Sequence, residues 1–490
     1  MLTVEEIRAF ISNDQASEKK KQAQISQQYY NGQHDILKKR IFFINADGKL
    51  EEDKTKVNTR IPHPFHRELT DQTVQYVLSD DERIFRSDDP ALQKELDIRF
   101  NDNEDFLAEI YDVCEGSIKK GMEYAYAYKD RNGRTAFQCA DSLGVVEVRE
   151  KDTDDGCAYV IYWYIDRIDR NSREIKRIQV WDDTQTCFYC QIDDGEITPD
   201  DSVPINPRPH TIYKKGNDKR LYYEGFGHIP FYRLDYSRDQ ESDLKLYKPM
   251  IDDYDVMNCG LSNNIEDTNE ALYVVKGFEG DNLDELMTNI KAKKHIGVTE
   301  DGGVQVETVD IPVEARKAKM EIDEKNIFRF GFGLNTADLK DTSATTSIAI
   351  KAAYSLLDLK ANKFKLRLRQ FLRKLLEVTL EEINKEQETD YTQDDVYFKF
   401  EPHLPTNEQE QAQIELLNAQ KRNMEITTIL NLASAIDDDT RLKLICEQLD
   451  IDYEEVKDKM PTEEGADPYQ IKTQLEATYT EGEDGGGVIE

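Results

Sequence analysis

From residue 345 to 380 the chain places apolar residues at alternating steps of four and three: Ile350, Tyr354, Leu357, Ala361, Phe364, Leu368, Phe371, Leu375 and Val378. On a helix this spacing keeps one stripe on one side, and the run from Ile350 to Val378 predicts a stripe of roughly 40 Å. The other side is basic: residues 350–374 hold eight Lys or Arg and one acid, Asp358. Such a side is either a solvated back or lies opposite something negative: a neighbouring subunit, an acidic element of the same chain, or a nucleic acid. A second stripe, Leu244, Tyr247, Ile251, Tyr254, Leu261, Ile265, Thr268 and Leu272, is interrupted by Asn258. It predicts an acidic helix, with eight acids and two lysines over 241–272. Pro249 suits its first turn or a kink. Helical spacing also covers 3–40, a pair within 88–120, 313–330, and a region reaching to about 460. In 64–80 it places Phe65, Leu69, Thr73, Val77 and Leu78 on one face.

The period changes to two over 123–150, about Asn132-Gly133, a hairpin signal. Strand-like runs continue through 157–192 and 210–235, so 123–235 reads as β-rich, with a Pro-rich loop at 203–209. Residues 45–60 read as a polar loop turning at Asp47-Gly48. Residues 273–312 read as strand, short helix, strand and turn, and 396–410 as strand and turn. A glycine-flanked polar loop, 331–347, feeds the long helix. The last 30 residues hold eight acids and one lysine and end near Gly485-Gly486-Gly487, which predicts a disordered tail.

With 490 residues the chain has room for two to four domains. It is 33% charged with a mean hydropathy of −0.73, and no run of 18 apolar residues predicts a membrane span. The opening MLTVEEIRAFISNDQ lacks the apolar stretch of a secretory signal. Seven thinly spread cysteines suit a reducing cytoplasm better than a disulfide framework. A formal net charge of −35 argues against sequence-independent duplex binding, which draws its affinity from Lys and Arg replacing counterions.

Motifs of catalysis and cofactor binding are not met. Gly116 to Gly121 approaches a phosphate loop but continues into Met122-Glu123, where a lysine and a hydroxyl are needed. Gly331-Phe332-Gly333 lacks a third glycine and reads as a hinge. Cys187 and Cys190 have the spacing of half a zinc site, yet strand alternation puts them on opposite faces. His63 and His66 flank Pro64, which disfavours a regular helix there, and read as structural. Among 99 carboxylates, neighbours such as Asp252-Asp253 or Glu463-Glu464 are expected by chance. No cofactor is implied, and nothing nominates an enzyme.

Six separated motifs occur in order: Tyr29-Tyr30-Asn31-Gly32-Gln33-His34-Asp35-Ile36; Gly121 to Tyr128 with Asp130 and Gly133; Phe226 to Phe231; Ser242-Asp243-Leu244; Ile251 to Asp255; and Phe400 to Glu408. With the order of elements, they resemble the portal proteins of long-tailed double-stranded DNA bacteriophages, in the branch typified by siphophages of Gram-positive bacteria. The resemblance covers about residues 20–420. One departure is Thr346-Ser347-Ile348-Ala349, where the family often has Ser-Gly-Val-Ala.

The resemblance implies an α+β portal fold. Its wing would be 1–240 (helical start, β-rich 123–235) with the long helix 347–385. The stem helices would be 241–275 and 313–333, the small α/β clip 276–312, the tunnel loop 334–346, the helical crown 386–465, and the acidic disordered tail 466–490. It further implies a non-enzymatic homo-oligomeric ring, usually of twelve subunits, at one capsid vertex of the virion. The ring would be assembled in the host bacterial cytoplasm and serve DNA packaging and ejection. Expected partners are the chain itself, terminase, a head–tail connector or adaptor, scaffold and major capsid proteins, and double-stranded DNA passing without sequence specificity; no membrane is involved. Asp338, Lys340, Asp341 and Thr342 are the tunnel-loop candidates, with Lys340 as a sparse positive contact that does not stall the duplex. Lys291, Lys293 and Lys294 are clip candidates for docking or for facing DNA. A head-to-tail ring needs two complementary faces. Asp252, Asp253 and Asp255 on one helix and Lys363, Arg367 and Arg369 on the other are candidates, between subunits or within one. Two other readings stay open: an acidic capsid scaffold component without a channel, and a DNA-processing enzyme with a nonstandard site.

Overall fold

Thr3 and Glu6 form a reciprocal capping box at the start of α1 (Val4–Ala16), and Ser17 caps α2 (Glu18–Tyr30) one residue later. In the computed structural model, residues 1–449 are described apart from 46, 55, 79–82, 131, 150–155, 169–172, 214–219, 221, 268–271, 279–297, 308–311, 336–346, 401–407 and 432–437. The expected polar loop at 45–60 contains part of a hairpin, β1 (Phe42–Ile44) with β2 (Leu50–Glu52), in which Ile44 pairs with Leu50. Helix α3 (Phe65–Val77) starts directly after Pro64, so this proline sets the helix boundary rather than preventing the helix. Strand β3 (Phe85–Arg86), α4 (Pro90–Leu96) and α5 (Glu104–Lys120) follow. Asn103 caps α5, and Gly121, at φ 100°, ends it in the left-handed region that glycine favours. The segment from Gly116 to Gly121 is therefore the end of a helix.

The β-rich region is present as expected. It comprises β4 (Met122–Lys129), β5 (Thr135–Ala140), β6 (Val145–Val148), β7 (Tyr159–Ile168), β8 (Glu174–Trp181), β9 (Gln185–Ile192), β10 (Thr198–Pro199), β11 (Arg208–Pro209), β12 (Thr211–Tyr213), β13 (Tyr222–Glu224) and β14 (Phe231–Asp235). One antiparallel sheet runs β14-β4-β5 and a larger one runs β10-β9-β8-β7-β6, with β11 also on β9. The Asn132-Gly133 hairpin closes through a longer loop than a two-residue turn, because Lys129 pairs with Thr135. The Asp130 carboxylate accepts from the backbone N–H groups of Asn132 and Arg134 and holds that loop. On β9, Cys187 is buried and Cys190 half-buried, as alternation requires.

Helix α6 (Leu244–Asp267) is followed by the antiparallel pair β15 (Leu272–Phe278) and β16 (Val298–Glu307), then α7 (Val313–Gly331) and α8 (Ser347–Gln387). Strand β17 (Tyr397–Phe398), α9 (Glu408–Asn431) and α10 (Asp438–Leu449) complete the order. Two expectations for α6 are corrected. Leu272, expected to continue the helix, is already in a strand, and the buried side of α6 runs Leu244, Tyr247, Ile251, Asp255 and Cys259 while Ile265 is 52% exposed. For α8 the expected stripe holds: Leu357, Ala361, Phe364, Leu368, Phe371, Leu375 and Val378 are each at most 7% exposed, and Tyr354 packs against them.

The chain forms two compact units, Met1–Leu404 and Pro405–Glu490. In the first, α5 and α8 cover one face of the β14-β4-β5 sheet, where Ala125, Ala127, Phe137 and Leu234 meet the α8 stripe. The sheet's other face puts Tyr124 against Val145, Val160 and Trp181. Val396 and Phe398 belong to the first core, and β17 pairs with β3. Residues 386–404 thus stay with the first unit. Gly331 and Gly333, expected to form a hinge, instead let the end of α7 approach Leu69 of α3: an added Cβ would stand 2.5 and 2.1 Å from its methyls.

Candidate functional site: an acidic and a basic helix

The acids of α6 are largely engaged within the subunit. Asp252 accepts from the Tyr29 hydroxyl and from Lys248 Nζ at 2.8 Å, and Lys248 also reaches Asp35 at 2.7 Å. Asp253 pairs with Lys319 of α7, which also holds Asp323 at 2.5 Å. Asp255 is fully buried, with His34 Nδ1 and His63 Nδ1 each 2.7 Å from one of its oxygens, and the His63 backbone N–H donates to it at 3.0 Å. Burial pushes its carboxyl up, but the hydrogen bonds from His34 and His63 outweigh this and hold it below the usual range. A buried carboxylate with both oxygens occupied cannot face a neighbour, so Asp255 is withdrawn from the inter-subunit candidates. Asp252 and Asp253 remain half-buried.

The motif around Tyr29 acquires a physical role here. His34 stacks on Tyr29, with ring centroids 4.4 Å apart, and its Nε2 lies 3.1 Å from the Tyr29 carbonyl. The end of α2 is thereby clamped to α6. The grouping of His34, His63 and Asp255 was not apparent from the sequence. Its signal was a carboxylate four residues after Ile251 and four before Cys259, on the buried side of the helix. His66 is also buried, between the Tyr247 hydroxyl at 2.8 Å and the Lys119 carbonyl at 3.3 Å. Burial lowers its pKa to about 3, so it is a neutral core residue.

On α8 the basic residues divide by face. Lys360 is buried and donates to the Gly331 carbonyl at 3.0 Å, tying α8 to the end of α7, with Asp243 at 3.4 Å. Lys365 is buried and lies over Tyr76. Lys363, Arg373 and Lys374 are exposed and Arg367 half-buried. Arg369, also exposed, lies over the ring of Phe400 at 5.7 Å. Near its end, Glu382 accepts from Arg99 at 2.5 Å, Lys129 at 2.6 Å, and the Thr135 backbone N–H at 2.8 Å. Asp338, Lys340, Asp341 and Thr342, with Lys291, Lys293 and Lys294, lie outside the described residues.

These contacts stitch helices together; among the described residues no three His, Cys, Asp or Glu side chains converge as a metal site, and no helix is long and apolar enough to cross a membrane. The model of the family described as "Phage portal protein, SPP1 Gp6-like" matches residues 10–458. The portal protein of Bacillus phage SPP1 is 27% identical over 346 residues, covering 70% of this chain and 67% of that protein. The portal protein of Clostridium phage phiCD119 is 26% identical over 407 residues, covering 77% and 82%. A solved structure, the neck of a native GTA particle computed with C12 symmetry, aligns over 78% of this chain and 89% of its own at 11% identity and a TM-score of 0.38, too low to bear weight. The order of elements and a match spanning nearly the whole chain place this protein in the SPP1 Gp6-like family of phage portal proteins, a structural and non-enzymatic part of the virion.

Proposed function

We propose that the chain forms a ring, usually of twelve subunits, at one capsid vertex, and that double-stranded DNA moves through its opening during packaging and ejection. The family match over residues 10–458 carries this reading. The charge supports it: a conduit must not hold the duplex, and a chain at −35 offers it few counterion-replacing contacts. In this reading α6 and α7 are the stem, the β15–β16 unit the clip, residues 334–346 the tunnel loop, and residues before 240 with α8 the wing. We take the crown from Pro405 on, since Val396 and Phe398 belong to the first core. The clip side serves terminase during packaging and a head–tail connector afterwards, with Lys291, Lys293 and Lys294 as docking candidates. Lys340, between Asp338 and Asp341, supplies the sparse positive contact to the DNA backbone. Scaffold and major capsid proteins are the partners at the vertex, reached in the host cytoplasm.

The test is DNA packaging into heads assembled with a Lys340→Ala chain. Rings form as before while the amount or rate of packaged DNA changes. Loss of ring formation would remove the loop from the channel.

A further inference from the structure

The outward side of α8 carries more than charge. Leu359 and Leu366 are 62% and 61% exposed, seven residues apart, with Lys363 between them. Leu356, Leu359, Lys363, Leu366, Gln370 and Arg373 repeat the four/three spacing of the buried stripe, so the helix has a second ordered side. Single exposed leucines are ordinary, but leucines in register with cations make a surface suited to another protein. Among the described residues Lys363, Arg367 and Arg373 form no salt bridge. Asp252, Asp253 and Asp255 of α6 do not answer this surface, since their partners are Lys248, Lys319, His34 and His63.

Helix α5 does answer it. Residues 102–118 hold six acids, Asp102, Glu104, Asp105, Glu109, Asp112 and Glu115, and no Lys or Arg. Asp105, Glu109 and Asp112 share one side, where Asp105 and Asp112 are exposed. Leu107 and Tyr128, each 38% exposed, give that region an apolar component. Glu109 accepts from the Cys139 backbone N–H on edge strand β5 at 2.6 Å, and burial, then Asp112 and Asp105, push its carboxyl up. Among the described residues Glu104, Asp105 and Asp112 form no salt bridge; Glu115 pairs with Lys119. Helix α5 lies along β4 and β5, and α8 mainly along β14, towards the opposite edge of the three-stranded sheet. Two unlike, complementary surfaces set apart on one subunit are what a heterologous ring contact requires.

We propose that the outward side of α8, with Leu359, Lys363, Leu366, Arg367 and Arg373, docks on the acidic side of α5 in the next copy of this chain. The proposal rests on the ring reading above and names the contact that closes it. Duplex DNA is the competing occupant of a basic side.

The experiment uses two full-length variants. One carries Lys363→Glu, Arg367→Glu and Arg373→Glu; the other carries Glu104→Lys, Asp105→Lys and Asp112→Lys. Under conditions where the unaltered chain forms rings, each variant alone meets itself with like charges and loses at least tenfold of its ring fraction. Mixed in equal amounts they alternate, every contact is again complementary, and rings with an even number of subunits return. Rings in either variant alone, or no recovery in the mixture with both subunits folded by circular dichroism, overturns the proposal. Normal rings with weakened duplex binding in the first variant overturns it in favour of DNA. If the unaltered chain never forms rings, the ring reading fails first and this contact with it. A photo-crosslinker at position 366 of the otherwise unaltered chain gives an independent check. It captures residues 104–112 of a second copy, and capture of any other segment contradicts the assignment.

Discussion

Glu382 shows how much of this fold is fixed by residues that no local pattern pairs. Its carboxylate joins Arg99, on the single π-helical turn after α4, to Lys129 and Thr135 on either side of the β4–β5 loop. Burial pushes its carboxyl up, but hydrogen bonds from Lys129, Thr135 and Arg99 and the charge of Lys129 hold it below its ordinary value of 4.5. Replacing Glu382 with Ala takes from the largely buried Lys129 its carboxylate partner, while Arg99 keeps Glu95 and Glu386, and is expected to cost about 3 kcal/mol in urea unfolding of the subunit. The sign with pH follows. A lowered folded pKa gives stability that is present above the unfolded value and is lost as pH falls through the folded one. Subunit stability therefore declines as pH drops below about 4.5, with Asp255 acting in the same sense. A pH series of unfolding midpoints reads this, and Glu382→Gln should make the acid decline shallower. None of this was legible in the sequence, because Arg99 and Glu382 are 283 positions apart.

At the level of elements, α8 was the most legible and α6 the least. The α8 stripe could be read because its partners are apolar, so burial follows periodicity alone. On α6 the reading followed Tyr254, Leu261 and Ile265, whereas the buried side follows Asp255 and Cys259. Local spacing assigns a carboxylate to water; only the distant His34 and His63 make its burial tolerable. The two sides of α8 predict opposite responses. Leu368→Ala, at a fully buried position, is expected to cost about 2–5 kcal/mol of subunit stability. Leu366→Ala should change it by no more than about 0.5 kcal/mol while weakening ring assembly. Thermal melts and the ring fraction, measured on the same samples, separate the two. Equal loss of stability in both would mean that Leu366 is not on a free side.

For the whole molecule, the α+β class, the β-rich segment 123–235, the two strands between α6 and α7, and the long helix all followed from pattern and resemblance, while the short helix expected between those strands lies outside the described residues. The boundary of the second compact unit did not. A two-residue strand, β17, returns to pair with β3, and so short a strand leaves almost no periodic signal. The seven candidates in the tunnel loop and clip lie outside the described residues and rest on the resemblance. A ring held partly by charge should respond to salt, since the screening length falls from about 8 Å at 0.15 M to about 3 Å at 1 M. The ring fraction at fixed protein concentration is expected to fall across that range, read by sedimentation velocity. A fraction that stays constant would assign closure to apolar contacts.

The central claim, that this chain builds a ring through which DNA passes, is tested most directly by mass photometry with negative-stain electron microscopy of the purified chain, with and without its scaffold protein. The account predicts annular particles of about twelve times 56.8 kDa, with an opening wide enough for a duplex of roughly 20 Å. Closed particles without an opening, or monomers alone under both conditions, would contradict it.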